Sequence, residues 1–76
     1  MAPDDLREKL RAVVAEISEI DDIPDAVSFK ELGIDSMMAI EIIAEVERTY
    51  KIKVAESELE KVRDLNSVFE LISSKL

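Results

Sequence analysis

Apolar positions recur at a helical period along nearly the whole chain. Leu6, Leu10, Val13, Val14 and Ile17 fall at i, i+4, i+7, i+8 and i+11, one face of a first helix predicted from Asp4 or Asp5 to about Ser18. Pro3, Asp4 and Asp5 suit its start, because proline has no N–H to lose there and acids face the positive end of the helix dipole. Asp21-Asp22-Ile23-Pro24-Asp25 then breaks the pattern. The next periodic stretch, about Ser36 to Tyr50, predicts a second helix with Ile42, Ile43, Val46 and Tyr50 as its core-facing stripe. Met37, Ile40 and Ala44 form a second apolar line, flanked by Glu41, Glu45 and Arg48. This helix is more apolar around its circumference than a simple surface helix.

The connection from Ile20 to Asp35 is long for a tight bundle. Ser28-Phe29-Lys30-Glu31 has capping-box spacing, and Leu32-Gly33 follows one turn later. That predicts a single helical turn closed by the chain's only glycine, with Phe29, Leu32 and Ile34 turned into the core. Tyr50-Lys51-Ile52-Lys53-Val54 alternates like a strand but has no partner run, so it reads as an extended loop. A short third helix is predicted over about Glu56 to Lys61, with Leu59 and Val62 inward. A fourth runs from near Asp64 to near Lys75 and buries Leu65, Val68, Phe69 and Ile72, with Leu76 a further core candidate. Ser67 and Glu70 offer a capping box if its start is slightly late. The expected fold is all-α: a four-helix bundle of three longer helices and one short third helix, in a single domain over residues 1–76.

Composition narrows function mainly by subtraction. The 76 residues contain no cysteine and no histidine, so disulfides and the usual zinc ligand sets are absent. A chain this short buries only about 60% of the surface its unfolded form exposes, so modest stability is expected. The formal net charge of −8, from 18 acids against 10 bases, argues against nucleic-acid binding and favours basic surfaces on partner proteins. The most apolar stretch, Met37 to Ala44, is interrupted by Glu41 and too short to span a bilayer. Met1-Ala2-Pro3-Asp4-Asp5 has no apolar signal core, so a cytoplasmic monomer is expected. No loop has calcium-binding spacing, and no metal site is expected.

The candidate chemistry lies at Gly33-Ile34-Asp35-Ser36-Met37, where the long connection ends and the second helix begins. A serine hydroxyl needs an adjacent base to act as a nucleophile, and this chain has no histidine to supply one. Ser36 therefore reads as a residue that another enzyme modifies. A phosphodiester there would meet the free N–H groups of a helix N-terminus. Aspartate and serine are both good N-caps, so capping by either residue is the competing structural reading.

Gly33-Ile34-Asp35-Ser36-Met37 resembles the Asp-Ser-Leu phosphopantetheine site of acyl carrier proteins, with methionine in place of leucine. The resemblance extends over essentially the whole chain: the amphipathic first helix, the long loop ending in Leu32-Gly33-x-Asp35-Ser36, the Ile52-x-Val54 segment and the last two helices. It implies that a phosphopantetheinyl transferase, with coenzyme A and Mg²⁺, attaches 4′-phosphopantetheine to Ser36, with Asp35 as motif residue, cap or orienting group. The imported thiol would then hold acyl groups as thioesters, which accounts for a carrier without cysteine.

The same resemblance implies that the second helix meets acyl-processing enzymes (a ketosynthase, acyltransferase or acyl ligase) through their basic docking patches. The positions implied are Met37, Met38, Ile40, Glu41, Ala44, Glu45, Glu47 and Arg48, with Glu56 in the following loop. Met38 stands where fatty-acid carriers often have an acid, and Arg48 replaces a usual acid, which points to a specialised carrier. Ile43, Val46, Ile52, Leu59 and Ile72 are acyl-pocket candidates, each equally well read as ordinary core. Fatty-acid, lipid or polyketide biosynthesis is the expected setting. A D-alanyl or aminoacyl carrier, or a small helical adaptor without a prosthetic group, is the alternative.

Overall fold

Four helices form in the expected order: α1 (Pro3–Ser18), α2 (Ser36–Tyr50), α3 (Glu56–Leu59) and α4 (Leu65–Lys75). This computed structural model describes the backbone of residues 3–76 and the side chains of residues 5–76. The readings placed on Met1 and Ala2, and on the side chains of Pro3 and Asp4, lie outside those described. No helix among the described residues is long and apolar enough to cross a membrane.

The hydrophobic stripes meet as their spacing requires. Leu6, Leu10 and Val14 of α1, Ile42, Ile43 and Val46 of α2, and Leu65, Val68 and Ile72 of α4 are all buried. Helix α1 packs against both α2 and α4. Val13, Ile17 and Tyr50 flank this core half-buried. Two expectations for α4 change. Leu76 is 64% exposed, because it follows the last helical residue and points past the core. Phe69 is half-buried beneath the Arg7 guanidinium, 4.3 Å from its ring centroid, a cation–π contact at the edge of the bundle.

The connection between α1 and α2 is fixed by its own core residues. Ile23, Phe29 and Ile34 are buried, while Leu32 is half-buried. Sequence periodicity gave no place to Ile23, a lone apolar residue between acids and a proline. Its carbonyl accepts a hydrogen bond from the Arg11 guanidinium. Arg11 also pairs with Glu8 and Asp25, and Arg7 pairs with Asp25 at 3.3 Å and donates to Asn66. The Asn66 N–H donates to the Asp25 carbonyl at 3.0 Å, and the Phe29 N–H to the Arg63 carbonyl at 2.7 Å. The connection is thus tied to α1 on one side and to the turn before α4 on the other.

The single turn before α2 is hydrogen-bonded but too short to register as a helix. Gly33, at φ +85°, closes it in the Schellman arrangement: its N–H donates to the Lys30 carbonyl at 3.1 Å, and the Ile34 N–H to the Phe29 carbonyl at 2.8 Å. The expected Ser28–Glu31 box does not form. Ser28 Oγ accepts the Lys30 N–H at 3.1 Å instead, a tighter local turn, and Glu31 is exposed. Helix α3 stops at Leu59, two residues short of the expected Lys61. Beyond it the bonds tighten to i→i+3, from the Lys61 N–H to the Glu58 carbonyl and from the Val62 N–H to the Leu59 carbonyl. The Ser67–Glu70 box is replaced by one a turn earlier. Asp64 Oδ1 accepts the Ser67 N–H at 2.8 Å, and Ser67 Oγ accepts the Asp64 N–H at 3.0 Å.

Candidate functional site

Asp35 and Ser36 divide their tasks at the start of α2. Asp35 is the N-cap, with extended backbone (φ −85°, ψ 179°) and Oδ1 accepting the Met38 N–H at 2.8 Å. Ser36 is therefore the first helical residue. Its side chain is exposed, and its hydroxyl makes no hydrogen bond among the described residues. Asp35 therefore takes the cap and leaves the Ser36 side chain facing out.

Two clefts meet at Ser36. One, of about 320 Å³, lies between α2 and α3 and is lined by Ile40, Ile43, Leu59 and Val62, with Glu56 and Glu60 at its rim. The other, of about 380 Å³, lies on the side of the connection, with Lys30, Ile34, Asp35, Arg63 and Asp64 in its walls. Ser36, Ala39 and Val62 belong to both and form the ridge between them. Lys30 and Arg63 carried no functional signal in the sequence. They are far apart in the chain, and the Phe29–Arg63 backbone bond brings their loops together.

The remaining candidates separate by face. Met37, Ile40, Glu41, Ala44 and Arg48 are exposed on α2, and Met37 and Ile40 are large apolar side chains in water at 73% and 54% exposure. Met38 turns toward the core and is half-buried. Glu47 is also turned aside, accepting the Val54 N–H at 2.8 Å and fastening the loop after α2. Glu45 pairs with Arg48 at 2.7 Å along the helix. Glu56 is exposed at the mouth of the α2–α3 cleft. Of the five pocket candidates, Ile43 and Leu59 line that cleft, Val46 and Ile72 are fully buried core, and Ile52 is half-buried against the core away from both clefts.

Helix α3 is held by Glu58. Its carboxylate accepts the Ala55 N–H at 2.9 Å and pairs with Lys75 at 2.9 Å. The Ala55 N–H first, and Lys75 second, hold this carboxyl below its ordinary pKa. Alanine has no side-chain oxygen with which to cap α3, so only this half of a capping box exists. No group of three metal-ligating side chains occurs among the described residues.

The scaffold is thus four helices with the exposed Ser36 hydroxyl at the start of α2, between two open clefts. Comparison with known proteins gives the class. Residues 8–72 match the family described as the phosphopantetheine attachment site. The chain is 38% identical over 73 residues to polyketide-8 synthase acyl carrier protein 2 of Streptomyces avermitilis, covering 92% of this chain and 84% of that one. It is 38% identical over 74 residues to the anthracycline acyl carrier protein DpsG of Streptomyces peucetius, covering 95% and 87%. The crystal structure of an acyl carrier protein from Thermotoga maritima superposes with a TM-score of 0.80 at 25% identity, over 92% of this chain and 89% of that one. The chain belongs to the acyl carrier protein family, a family of carriers rather than catalysts, and its cofactor is a covalently attached 4′-phosphopantetheine.

Proposed function

We propose that Ser36 is the attachment residue and that the chain carries acyl intermediates of polyketide assembly between the enzymes of a synthase. The observation that carries the first part is the unbonded Ser36 hydroxyl beside an Asp35 that already caps the helix. The residues present fit the group. The hydroxyl is exposed, the α2 N-terminus favours a phosphate, and the adjoining clefts leave room for an arm. The arm supplies a terminal thiol that holds the acyl group as a thioester. The protein itself binds, orients and presents. The setting is supported by the names of the relatives that match at 38% identity.

The exposed face of α2 and its neighbour Glu56 would meet the transferase and the acyl-processing enzymes. Met37, Ile40 and Ala44 give that face an apolar centre, and Glu41 and Glu56 give it acids for a basic docking patch. With Arg48 paired to Glu45, the face is less negative than its count of acids implies. Such a contact depends less on salt than a purely ionic one.

Intact mass after incubation with a broad-specificity phosphopantetheinyl transferase, coenzyme A and Mg²⁺ tests the site. A gain of one phosphopantetheine in the native chain, absent in Ser36→Ala, is expected. An unchanged native mass would favour a helical adaptor. Transfer assays with the holo protein then test the setting. Acceptance by a polyketide ketosynthase in preference to a fatty-acid ketosynthase is expected, and equal acceptance by both would count against a specialised carrier.

A further inference from the structure

The two clefts beside Ser36 differ in charge. The α2–α3 cleft carries Glu56 and Glu60 and no cation, whereas the connection-side cleft carries Lys30 and Arg63. Both cations are exposed, and neither forms an ion pair among the described residues. The carboxylates sharing their cleft are already engaged: Asp35 holds the Met38 N–H and Asp64 the Ser67 N–H, each at 2.8 Å. The loops bearing the cations are fixed together by the 2.7 Å bond from the Phe29 N–H to the Arg63 carbonyl. In a chain of net charge −8, the connection-side cleft, whose two cations offset the charges of Asp35 and Asp64, is less negative than its neighbour, which holds Glu56 and Glu60 alone.

We propose that Lys30 and Arg63 seat the phosphodiester of the prosthetic arm, so that the arm leaves Ser36 over the connection-side cleft and away from α3. This rests on Ser36 being the attachment residue. A phosphodiester on Ser36 has Oγ as one of its own ester oxygens and so lies at the junction of the two clefts. Its negative charge is repelled by Glu56 and Glu60 on one side. On the other, an ammonium and a guanidinium offer charge-assisted hydrogen bonds to its oxygens. The free N–H groups at the start of α2 attract it equally under either arrangement, so the side-chain charges decide the side. Lys30 and Arg63 are positioning residues in this scheme: they set where the arm starts and take no part in bond making.

The test compares ¹⁵N-labelled apo and holo protein, with conversion verified by intact mass. Amide shifts on conversion should concentrate at Lys30, Arg63 and Asp64 and shrink at high salt. The pantetheine methyl protons should show NOEs to Phe29 and Ile34, which line only the connection-side cleft, and not to Ile40 or Leu59, which line only the other. Conversion should also raise Tm by about 2–4 °C at low salt, the value for a screened surface charge pair in a small domain. That rise should be halved in Lys30→Gln and lost in the doubly substituted Lys30→Gln, Arg63→Gln protein. Shifts and NOEs confined to residues 56–60 in a fully converted sample, or an undiminished Tm rise in the double variant, would overturn the proposal and leave Ser36 as the attachment site. A native chain that gains no mass would remove both.

Discussion

The Asp35 carboxylate accepts the Met38 N–H at 2.8 Å, and this one bond leaves the Ser36 hydroxyl free. Removing the cap and removing the hydroxyl should therefore have separable effects. Asp35→Ala should cost about 1 kcal/mol, the usual value of an N-cap, while Asp35→Asn should stay within a few tenths because asparagine caps equally well. Ser36→Ala should change stability by less than about 0.5 kcal/mol and abolish modification. Urea denaturation read against intact mass checks all three. A Ser36→Ala loss as large as that of Asp35→Ala would mean that the hydroxyl has a structural partner after all.

Two of the three left-handed positions among the described residues should respond in opposite directions. Gly33 sits at φ +85°, and a Cβ added there meets nothing within 4 Å, so Gly33→Ala costs backbone energy alone, about 1–2 kcal/mol. Lys51 occupies the equivalent place after α2 at φ 57°, with its N–H and that of Ile52 both donating to the Glu47 carbonyl. Lys51→Gly relieves the strained backbone but adds freedom to the unfolded chain, for a net gain of about 0.5 kcal/mol. Denaturation midpoints of the two variants should bracket the native protein.

Asp25 is the centre of the clasp that holds the connection. Asp25→Ala removes the carboxylate from Arg7 and Arg11 but leaves Arg7 on Asn66 and Phe69. The Asp25 side chain is 40% exposed, so solvent screening limits the loss to about 1 kcal/mol, smaller again at high salt. Hydrogen exchange should quicken at Phe29 and Ile34, whose amides lock the turn before Ser36. Unchanged exchange there would show that the buried Ile23, Phe29 and Ile34 hold the connection without the clasp.

Glu58 sets an acid limit for α3. Its carboxyl is depressed by the Ala55 N–H and then by Lys75, so the folded form binds its proton less readily than the unfolded form. The stability it contributes is complete above the unfolded glutamate pKa of about 4.3 and is lost as pH falls through the lower folded value. Amides of α3 should therefore shift and broaden between about pH 4.3 and that lower pKa. Glu58→Gln should remove this acid step, which ¹⁵N spectra across the titration would reveal.

Much of this protein was legible in its sequence, because a helical period leaves a mark in one dimension. Leu6, Leu10 and Val14, or Leu65, Val68 and Ile72, announce a buried face by spacing alone. What escaped were features made by residues without a period. Ile23 stands alone between acids and a proline, and nothing local says that Arg11 will hold its carbonyl. Glu47 has the spacing of a docking acid, yet its side chain turns back to the Val54 N–H. Met37 and Met38 are indistinguishable as neighbours in the chain, but the 100° step of the helix sends one to solvent and the other to the core.

The sequence by itself determined the four helices and Asp35-Ser36 as the place to look, since each depends on local chemistry and regular spacing. The tertiary structure decided which of the two residues caps. It also decided that two clefts rather than one adjoin Ser36, and that the acids lie on one side and Lys30 with Arg63 on the other. Those outcomes depend on how the Phe29 and Arg63 loops are brought together, and a contact between distant segments leaves no periodic trace in the chain.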